Sequence, residues 1–588
     1  MRFISNILST VLGIFVFIIL FFILIIGIGA IAGGGDDTVK VKDNSVLELD
    51  LSKVSLDYGG KISIKEFGFF DDNHNGLNDV LIALKAAESD DKIKGISIKN
   101  NSSGLGLAQT KELRDALIEF KKSKKFILSY NDVMSQGDYY LNSVADKVFL
   151  NPAGEMEFKG LSSEVLFYKN LQEKTGIKME VLRHGKYKSA VEPFIAQEMS
   201  DNNREQITVL LNSVWNTMVN DIAVSRNIPA DSLNAIANNL AARTPEMALE
   251  KKLIDGIIYI DEYDQMIKDK LKVEKDEDYE SVALLDYVEK NATTATDYSK
   301  SDAIAVIYAQ GEIMGGEGDV NIIGEGAINR SLKEAREDED IKAIVLRVDS
   351  PGGSALASEL IWREIENTKK VKPVVVSMGN YAASGGYYIA CNATKIFAQP
   401  STLTGSIGVF GVVPNMTTLA NNMGINAEIV KTHENAANYS LFTPMSNSFR
   451  STTTESIERI YKTFVQRVAA GRNMSFEEVD ALAQGRVWTG ADALNNKLVD
   501  AIGSLDDAIA EAAKLGKTTD YHLETFPEYD KDLEELIGQY TGFAFMKTKE
   551  QLLKEELGEA NYEMVKQLKS VQMREGIQAR VPFELRIN

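Results

Sequence analysis

The feature that most constrains this chain is that it contains the same unit twice. Ile93-Lys94-Gly95-Ile96 resembles Ile341-Lys342-Ala343-Ile344, and Asn131 to Tyr139 aligns with Asn380 to Tyr388 at an offset of 249. Gly176 to Val181 matches Gly424 to Ile429 at an offset of 248, and Ala248 to Asp255 matches Ala493 to Asp500 at 245. A nearly constant offset over so long a stretch means a duplicated domain. At 588 residues the chain is in any case too long for one hydrophobic core.

Each copy reads as α/β. In the second, Ile344 to Val348 is a short β-branched run suited to a buried strand. Pro351-Gly352-Gly353 breaks it, and Ser354 can cap a helix running to about Asn367. Val374-Val375-Val376 is the next strand, and a turn at Gly379-Asn380 leads into a helix from near Ala383. Such alternation implies βαβ units and a largely parallel sheet. The expected division is a segment 1–35, a first repeat over 44–290, a second over 300–525, and a charged, helical tail over 526–588.

The two copies differ in chemistry. Ser384 lies in Ala382-Ala383-Ser384-Gly385-Gly386, just after a strand, where a serine either presents its hydroxyl for reaction or simply caps a helix. Gly352-Gly353 follows the preceding strand, either as an oxyanion turn or as a plain Pro-Gly turn. A reactive serine needs a base. The only histidines are His74, His184, His433 and His522, and none sits in a setting with an evident orienting carboxylate, which leaves a distant partner open. The first copy offers Lys188 in Gly185-Lys186-Tyr187-Lys188-Ser189-Ala190-Val191-Glu192-Pro193, as an ordinary surface lysine or as a buried neutral base. The counterpart of Ser384 in the first copy is Ser135, within Met134-Ser135-Gln136, and Asn101-Ser102-Ser103-Gly104 lacks the glycine pair. The second-copy counterpart of Lys188 falls near Ala436, where no lysine stands. Complementary loss of this kind is what one composite site per chain would leave.

Composition narrows the rest. A net charge of -21 argues against nucleic acid as a partner. The single Cys391 leaves no intramolecular disulfide. Asp71 to Gly76 has the look of a calcium loop, but its twelfth position is Ile82 rather than glutamate. Residues 7–32 are apolar and long enough to span a bilayer. Ala30-Ile31-Ala32 keeps a cleavable signal peptide open as the competing reading. Arg2 before the span, with Asp36 and Asp37 after it, places the rest of the chain outside the cytoplasm.

The motifs YKSAVEP, DSPGG, YAASGGYY and TGSIGV together resemble the signal peptide peptidase SppA (protease IV) family in its long, duplicated form, from about residue 40 to 510. That resemblance implies two tandem Clp/crotonase-like domains behind an N-terminal transmembrane helix. It implies a Ser-Lys dyad, with Ser384 as nucleophile, Lys188 as general base and Ser406 orienting the lysine. The oxyanion hole would draw on Gly352, Gly353 and Gly385. It implies no cofactor or metal. The expected substrates are cleaved signal peptides and other apolar peptides, and the expected assembly is a homotetramer. The expected location is the bacterial inner membrane, single-pass, with the catalytic domains periplasmic. A crotonase-type acyl-CoA enzyme and a non-catalytic membrane scaffold are the alternatives.

Overall fold

The computed structural model describes residues 40–64, 69–295, 301–437, 439–530 and 578–580, together with Gly13, Ile14, Val16 and Phe17. The membrane anchor expected over 7–32 lies, apart from those four helical residues, outside the described residues. Among the described residues no helix is long and apolar enough to cross a membrane.

The chain is a mixed α/β protein with two main sheets built alike. In the first repeat six parallel strands run in the order Gly256–Ile257, Lys147–Met156, Phe126–Met134, Ile93–Lys99, Ser45–Glu48, Ser281–Ala283. In the second the order is Ala501–Ile502, Lys395–Ala398, Val374–Ala383, Ile341–Ser350, Asp302–Gln310, Tyr521–Phe526, again all parallel. Helices cover both faces, so the central strands are near-continuous apolar runs rather than alternating ones. Val374, Val375 and Val376 are all fully buried, and so are Ile344, Val345 and Leu346.

The duplication extends to local devices. Helices Asp201–Arg226 and Asn447–Arg472 are each 26 residues long and end on a left-handed asparagine, Asn227 and Asn473. Arg226 pairs with Asp255 as Arg472 pairs with Asp500. Asparagine tolerates that left-handed cap better than most residues, which fixes the helix end at the same place twice.

Two sequence expectations are corrected. The strand after Val374 runs through Gly379-Asn380 to Ala383, and the helix starts at Gly385. The strand continues because Tyr381, Ala382 and Ala383 pair with Leu403, Thr404 and Gly405, an added parallel strand. Most of the tail expected to be helical lies outside the described residues, but its described parts are strands, Glu528–Asp530 and Gln578–Arg580. Backbone partners made elsewhere in the fold, at Lys61–Ser63 and Gly352–Ser354, decide this over local propensity.

The repeats are joined by a shared sheet. Strand Lys178–His184 of the first pairs antiparallel with Val409–Asn415 of the second over seven residues, from His184 opposite Val409 to Lys178 opposite Asn415. Helix Asp201–Arg226 also packs on the second repeat, with Gln206 Oε1 accepting the Val487 N–H at 2.9 Å. These contacts carry the end of the first repeat's strand to the edge of the second repeat's sheet.

Candidate active site

Strand Val374–Ala383 delivers Ser384 to the head of a short helix, Gly385–Ala390. Ser384 takes φ 56° and ψ -114° and makes no side-chain capping bond. A non-glycine residue there is strained, and such strain persists only where the surroundings enforce it. Here the Ser384 N–H donates to the Gly405 carbonyl at 2.8 Å, while its own carbonyl accepts from Tyr388. The counterpart Ser135 has φ -67° and is an ordinary N-cap, its Oγ accepting from the Asp138 N–H. The same position is thus a helix cap in one repeat and a hydroxyl that makes no cap in the other.

Lys188 arrives from the opposite repeat. After Lys178–His184 the chain turns at Gly185 (φ 102°) and is pinned by the Tyr187 N–H to the Gln484 carbonyl at 2.9 Å. A Cβ on Gly185 would meet the Gln484 backbone at 2.5 Å, and one on Gly485 would meet the Lys188 backbone nitrogen at 2.6 Å. Two glycines therefore permit this loop-to-loop contact. Lys188 Nζ lies 2.8 Å from Ser384 Oγ, 3.0 Å from Ser406 Oγ and 3.1 Å from the Ser406 carbonyl. Lys188, Ser384 and Ser406 are all fully buried. All three of the amine's partners are neutral, so burial holds its pKa well below the ordinary lysine value. Ser406, like Ser384, has a positive φ, 50°. Its N–H donates to the Arg486 carbonyl at 2.7 Å, which fixes its Oγ over the amine.

The glycine turn stands beside the serine. Gly352–Ser354 forms a short strand, Gly352 has φ 105°, and a Cβ on Gly353 would lie 2.1 Å from the Ile313 carbonyl oxygen. The Gly352 N–H donates to Ser350 Oγ at 3.2 Å. Gly385 is the first residue of its helix, where backbone N–H groups lack an intrahelical acceptor. The structure thus brings Lys188 into contact with both Ser384 and Ser406, and the glycine turn follows strand Ile341–Ser350, which pairs with the serine's strand. Ala436, the second-copy counterpart of Lys188, is exposed in an irregular segment.

Three histidines do have carboxylate neighbours that sequence did not reveal: His184 with Glu458 at 2.7 Å, His522 with Glu524 at 3.1 Å and His74 with Asp79 at 3.9 Å. His184 is held in the inter-repeat sheet and stacks on Tyr461. It is the lysine amine, not an imidazole, that contacts Ser384.

Sequence reasoning missed a buried polar cluster beneath the site. Arg347 donates to Asp57 of the first repeat through Nε and Nη2, to Glu112 of the same repeat through Nη1 and Nη2, and to Ser377 Oγ through Nη1. Asp349, two residues on, accepts the Tyr381 N–H at 2.8 Å and side-chain bonds from Asn380 and Gln109. Asp349 therefore ties the strand leading to the glycine turn to the strand leading to Ser384. Burial, then the nearby Asp57, pushes its pKa up to about 7, and burial pushes Glu112 up to about 6. The available signal was Arg347 itself, a fully buried charge at the centre of a largely apolar strand, Ile341–Ser350.

The model of peptidase family S49 matches residues 119–274 and 366–519, once in each repeat. Protease 4 of Salmonella typhi is 35% identical over 541 residues, spanning 89% of this chain and 86% of that one. Protease 4 of Haemophilus influenzae is 37% identical over 446 residues, spanning 74% of this chain and 72% of that one. The chloroplastic serine protease SPPA of Arabidopsis thaliana is 34% identical, covering 73% of this chain and 64% of that protein. A family match in both repeats, and relatives alike over most of their length, establish that this chain belongs to peptidase family S49 and is a serine protease.

Proposed function

We propose that this serine protease is a membrane-anchored endopeptidase with a Ser384-Lys188 dyad that degrades cleaved signal peptides and other apolar peptides. The observation that carries the reading is the 2.8 Å contact between a buried Lys188 amine and Ser384 Oγ, with no carboxylate touching the amine. A neutral amine is a competent general base near neutral pH, and a charged one is not. Lys188 takes the hydroxyl proton and Ser384 attacks the peptide carbonyl. The oxyanion is received by N–H groups of the Gly352-Gly353 turn and Gly385. Lys188 then protonates the leaving amine, and water, deprotonated by the same lysine, releases the acyl group. Ser406 holds the amine toward Ser384. Each repeat takes the Clp/crotonase-like form, and residues 7–32 hold the site beside the bilayer surface on the periplasmic side of a bacterial inner membrane. A crotonase-type acyl-CoA reaction would leave both Lys188 and Ser384 without a role.

Two segments left without the sheet pairing that their counterparts make support a homo-oligomer. The partners in the inter-repeat sheet, 178–184 and 409–415, have counterparts 426–432 and 161–167 by the 248-residue offset. Neither counterpart is a strand. Residues 161–167 alternate half-buried and exposed, while Ile425, Ile429 and Val430 are exposed. Pairing these segments between copies as strands repeats the contact already made within one chain and builds a closed ring, a tetramer in our reading.

The test is hydrolysis of a signal-peptide-like apolar peptide by wild type, Lys188→Ala and Ser384→Ala. Equal, large losses in both variants are expected of residues acting as one unit. Near-full activity in Lys188→Ala would place the base elsewhere.

A further inference from the structure

The first repeat keeps a cleft where the second keeps its serine. A cavity of about 500 Å³ opens at the seam between the repeats, within the range of ligand pockets, about 300–1,000 Å³. Its walls include Ser135, Gly137 and Glu157, which the 249-residue offset places on Ser384, Gly386 and Ser406. The strand register agrees, since Val133 and Met134 face Glu155 and Met156 as Ala382 and Ala383 face Thr404 and Gly405. The loop Ser102–Gly104, counterpart of the glycine turn, forms another wall, and Tyr381 and Leu403 of the second repeat close it.

This cleft has lost the means to cut. Ser135 Oγ donates to Asp138 Oδ2 at 2.6 Å and accepts the Asp138 N–H at 3.1 Å. Glu157, where Ser406 stands in the other repeat, pairs with Lys159 at 2.9 Å. Among the described residues lining the cavity there is no lysine or arginine. What remains is a surface for binding. Leu105, Leu107, Leu141 and Val214 make much of the wall apolar. Ser401 also lines it, 5% exposed, and its Oγ has no hydrogen-bond partner among the described residues. A buried hydroxyl without a partner carries a free-energy cost that a ligand's amide would relieve. Apolar walls with one such hydroxyl suit apolar side chains carried on a peptide backbone, while the carboxylates of Asp138 and Glu157 oppose an acidic peptide.

We propose that the first repeat's cleft is a non-cleaving subsite for an apolar peptide segment, holding one stretch of a substrate while Ser384 acts on another. The inference rests on the proposed class of apolar peptide substrates. Strand Val374–Ala383 borders the cavity at Tyr381 and ends beside Ser384, about 10 Å further along at about 3.3 Å per residue. A long apolar peptide can therefore engage both places. The second contact on one chain acts at an effective concentration on the order of millimolar, so even weak binding in the cavity tightens the whole. The duplication then keeps two peptide clefts and leaves the chemistry to one.

Gly137 supplies the test, because a Cβ there would have only Ser135 Oγ within 4 Å, at 3.9 Å. Gly137→Phe is therefore expected to fill the cavity, and Gly137→Ala to leave it open. The probes are a short Leu/Ala peptide that reaches only Ser384, and the same peptide with about eight more apolar residues, enough at about 3.3 Å each to cross to the cavity. In the full chain carrying Ser384→Ala, fluorescence anisotropy should show the long peptide bound at least about tenfold more tightly than the short one. Adding Gly137→Phe should remove that advantage. Adding Ser401→Ala should reduce it about two- to tenfold, the worth of one hydrogen bond. A long peptide with glutamates in its extension should gain nothing. With Ser384 intact, Gly137→Phe should lower the long-to-short ratio of kcat/KM by the same factor, through KM. A ratio taken within one protein does not depend on how much of it is folded. No advantage for the long peptide, an advantage that survives Gly137→Phe or Ser401→Ala intact, or an equal gain from the acidic extension overturns the proposal. Hydrolysis without any such gain overturns the subsite and leaves the serine chemistry standing. A cavity-dependent gain in a protein that never hydrolyses either peptide upholds the subsite and counts against the serine chemistry instead.

Discussion

Arg347 of the second repeat meets Asp57 of the first with Nε 2.8 Å from Oδ2, and neither side chain is more than 2% exposed. The same guanidinium bonds Glu112, 1% exposed. One cation therefore stands among three carboxylates, the buried Asp57 and Glu112 and the half-buried Asp349, at the seam between the repeats. Removing it leaves charge buried without a partner, which costs about 3–5 kcal/mol. Arg347→Met is expected to lower the urea midpoint sharply. It should also reduce activity in whatever folded protein remains, because Asp349 shares the cluster. Wild-type stability in this variant would show that the carboxylates take up protons at no cost.

The cluster also makes stability depend on pH. Asp349 and Glu112 both have folded-state values raised above those of an unfolded chain, to about 7 and about 6. A raised carboxyl pKa means that the native state binds more protons than the unfolded state. The contribution is fully present below the unfolded values near 4, and it is lost as pH climbs through about 6 and 7. Thermal stability of the wild type should therefore fall between pH 5 and pH 8. Asp349→Asn, which holds the neutral shape, should flatten part of that fall. An equal slope in both proteins would remove Asp349 from the account.

Lys188 has the opposite sign. Burial depresses its pKa, so the native state disfavours a proton that the unfolded chain holds up to about pH 10.5. At neutral pH the buried amine is a cost to folding, which the proposed general-base role accounts for. Lys188→Met, similar in volume and apolar, is expected to abolish hydrolysis while raising the melting temperature by about 2–4 °C. Lys188→Arg should also be inactive, since a guanidinium does not deprotonate. The wild-type pH–rate profile should rise through the depressed pKa of the lysine. A melting temperature lowered in Lys188→Met would mean that the amine is structurally stabilising, against the burial argument.

Much of this was legible in sequence, and the boundary of what was legible has physical causes. The duplication announced two like sheets, and Ser354 does cap the helix Ala355–Thr368. Ser384 and Lys188 could be singled out by small neighbours and by the complementary loss between the repeats, and Ser406 only through the family resemblance. The strand through Gly379-Asn380 could not be read. Asn380 is held by the Ala108 and Gln109 N–H groups of the other repeat, and no local pattern encodes a partner so distant. The partner of His184, Glu458, was hidden for the same reason. The C-terminal strand is the extreme case, since its three residues are a strand only where Gly352–Ser354 and Phe410 present edges to them.

Gly353 offers the sharpest separation of fold from chemistry. Its missing Cβ would lie 2.1 Å from the Ile313 carbonyl oxygen and 2.6 Å from the Ile313 nitrogen. Neither is a flexible side-chain end, so Gly353→Ala must shift the turn itself. The helix after it is anchored independently, by the Ser354 cap and by Ala355, Ala357, Ser358 and Ile361, all buried. The shift is therefore expected to fall on the turn and its N–H groups rather than on the core. Loss of one oxyanion donor lowers kcat by roughly 100- to 1000-fold in such enzymes. Gly353→Ala should lose activity on that scale, chiefly in kcat, with far-ultraviolet circular dichroism and urea midpoint close to wild type. A variant that keeps its kcat would show that the oxyanion is held elsewhere, with Gly385 the residue to examine next.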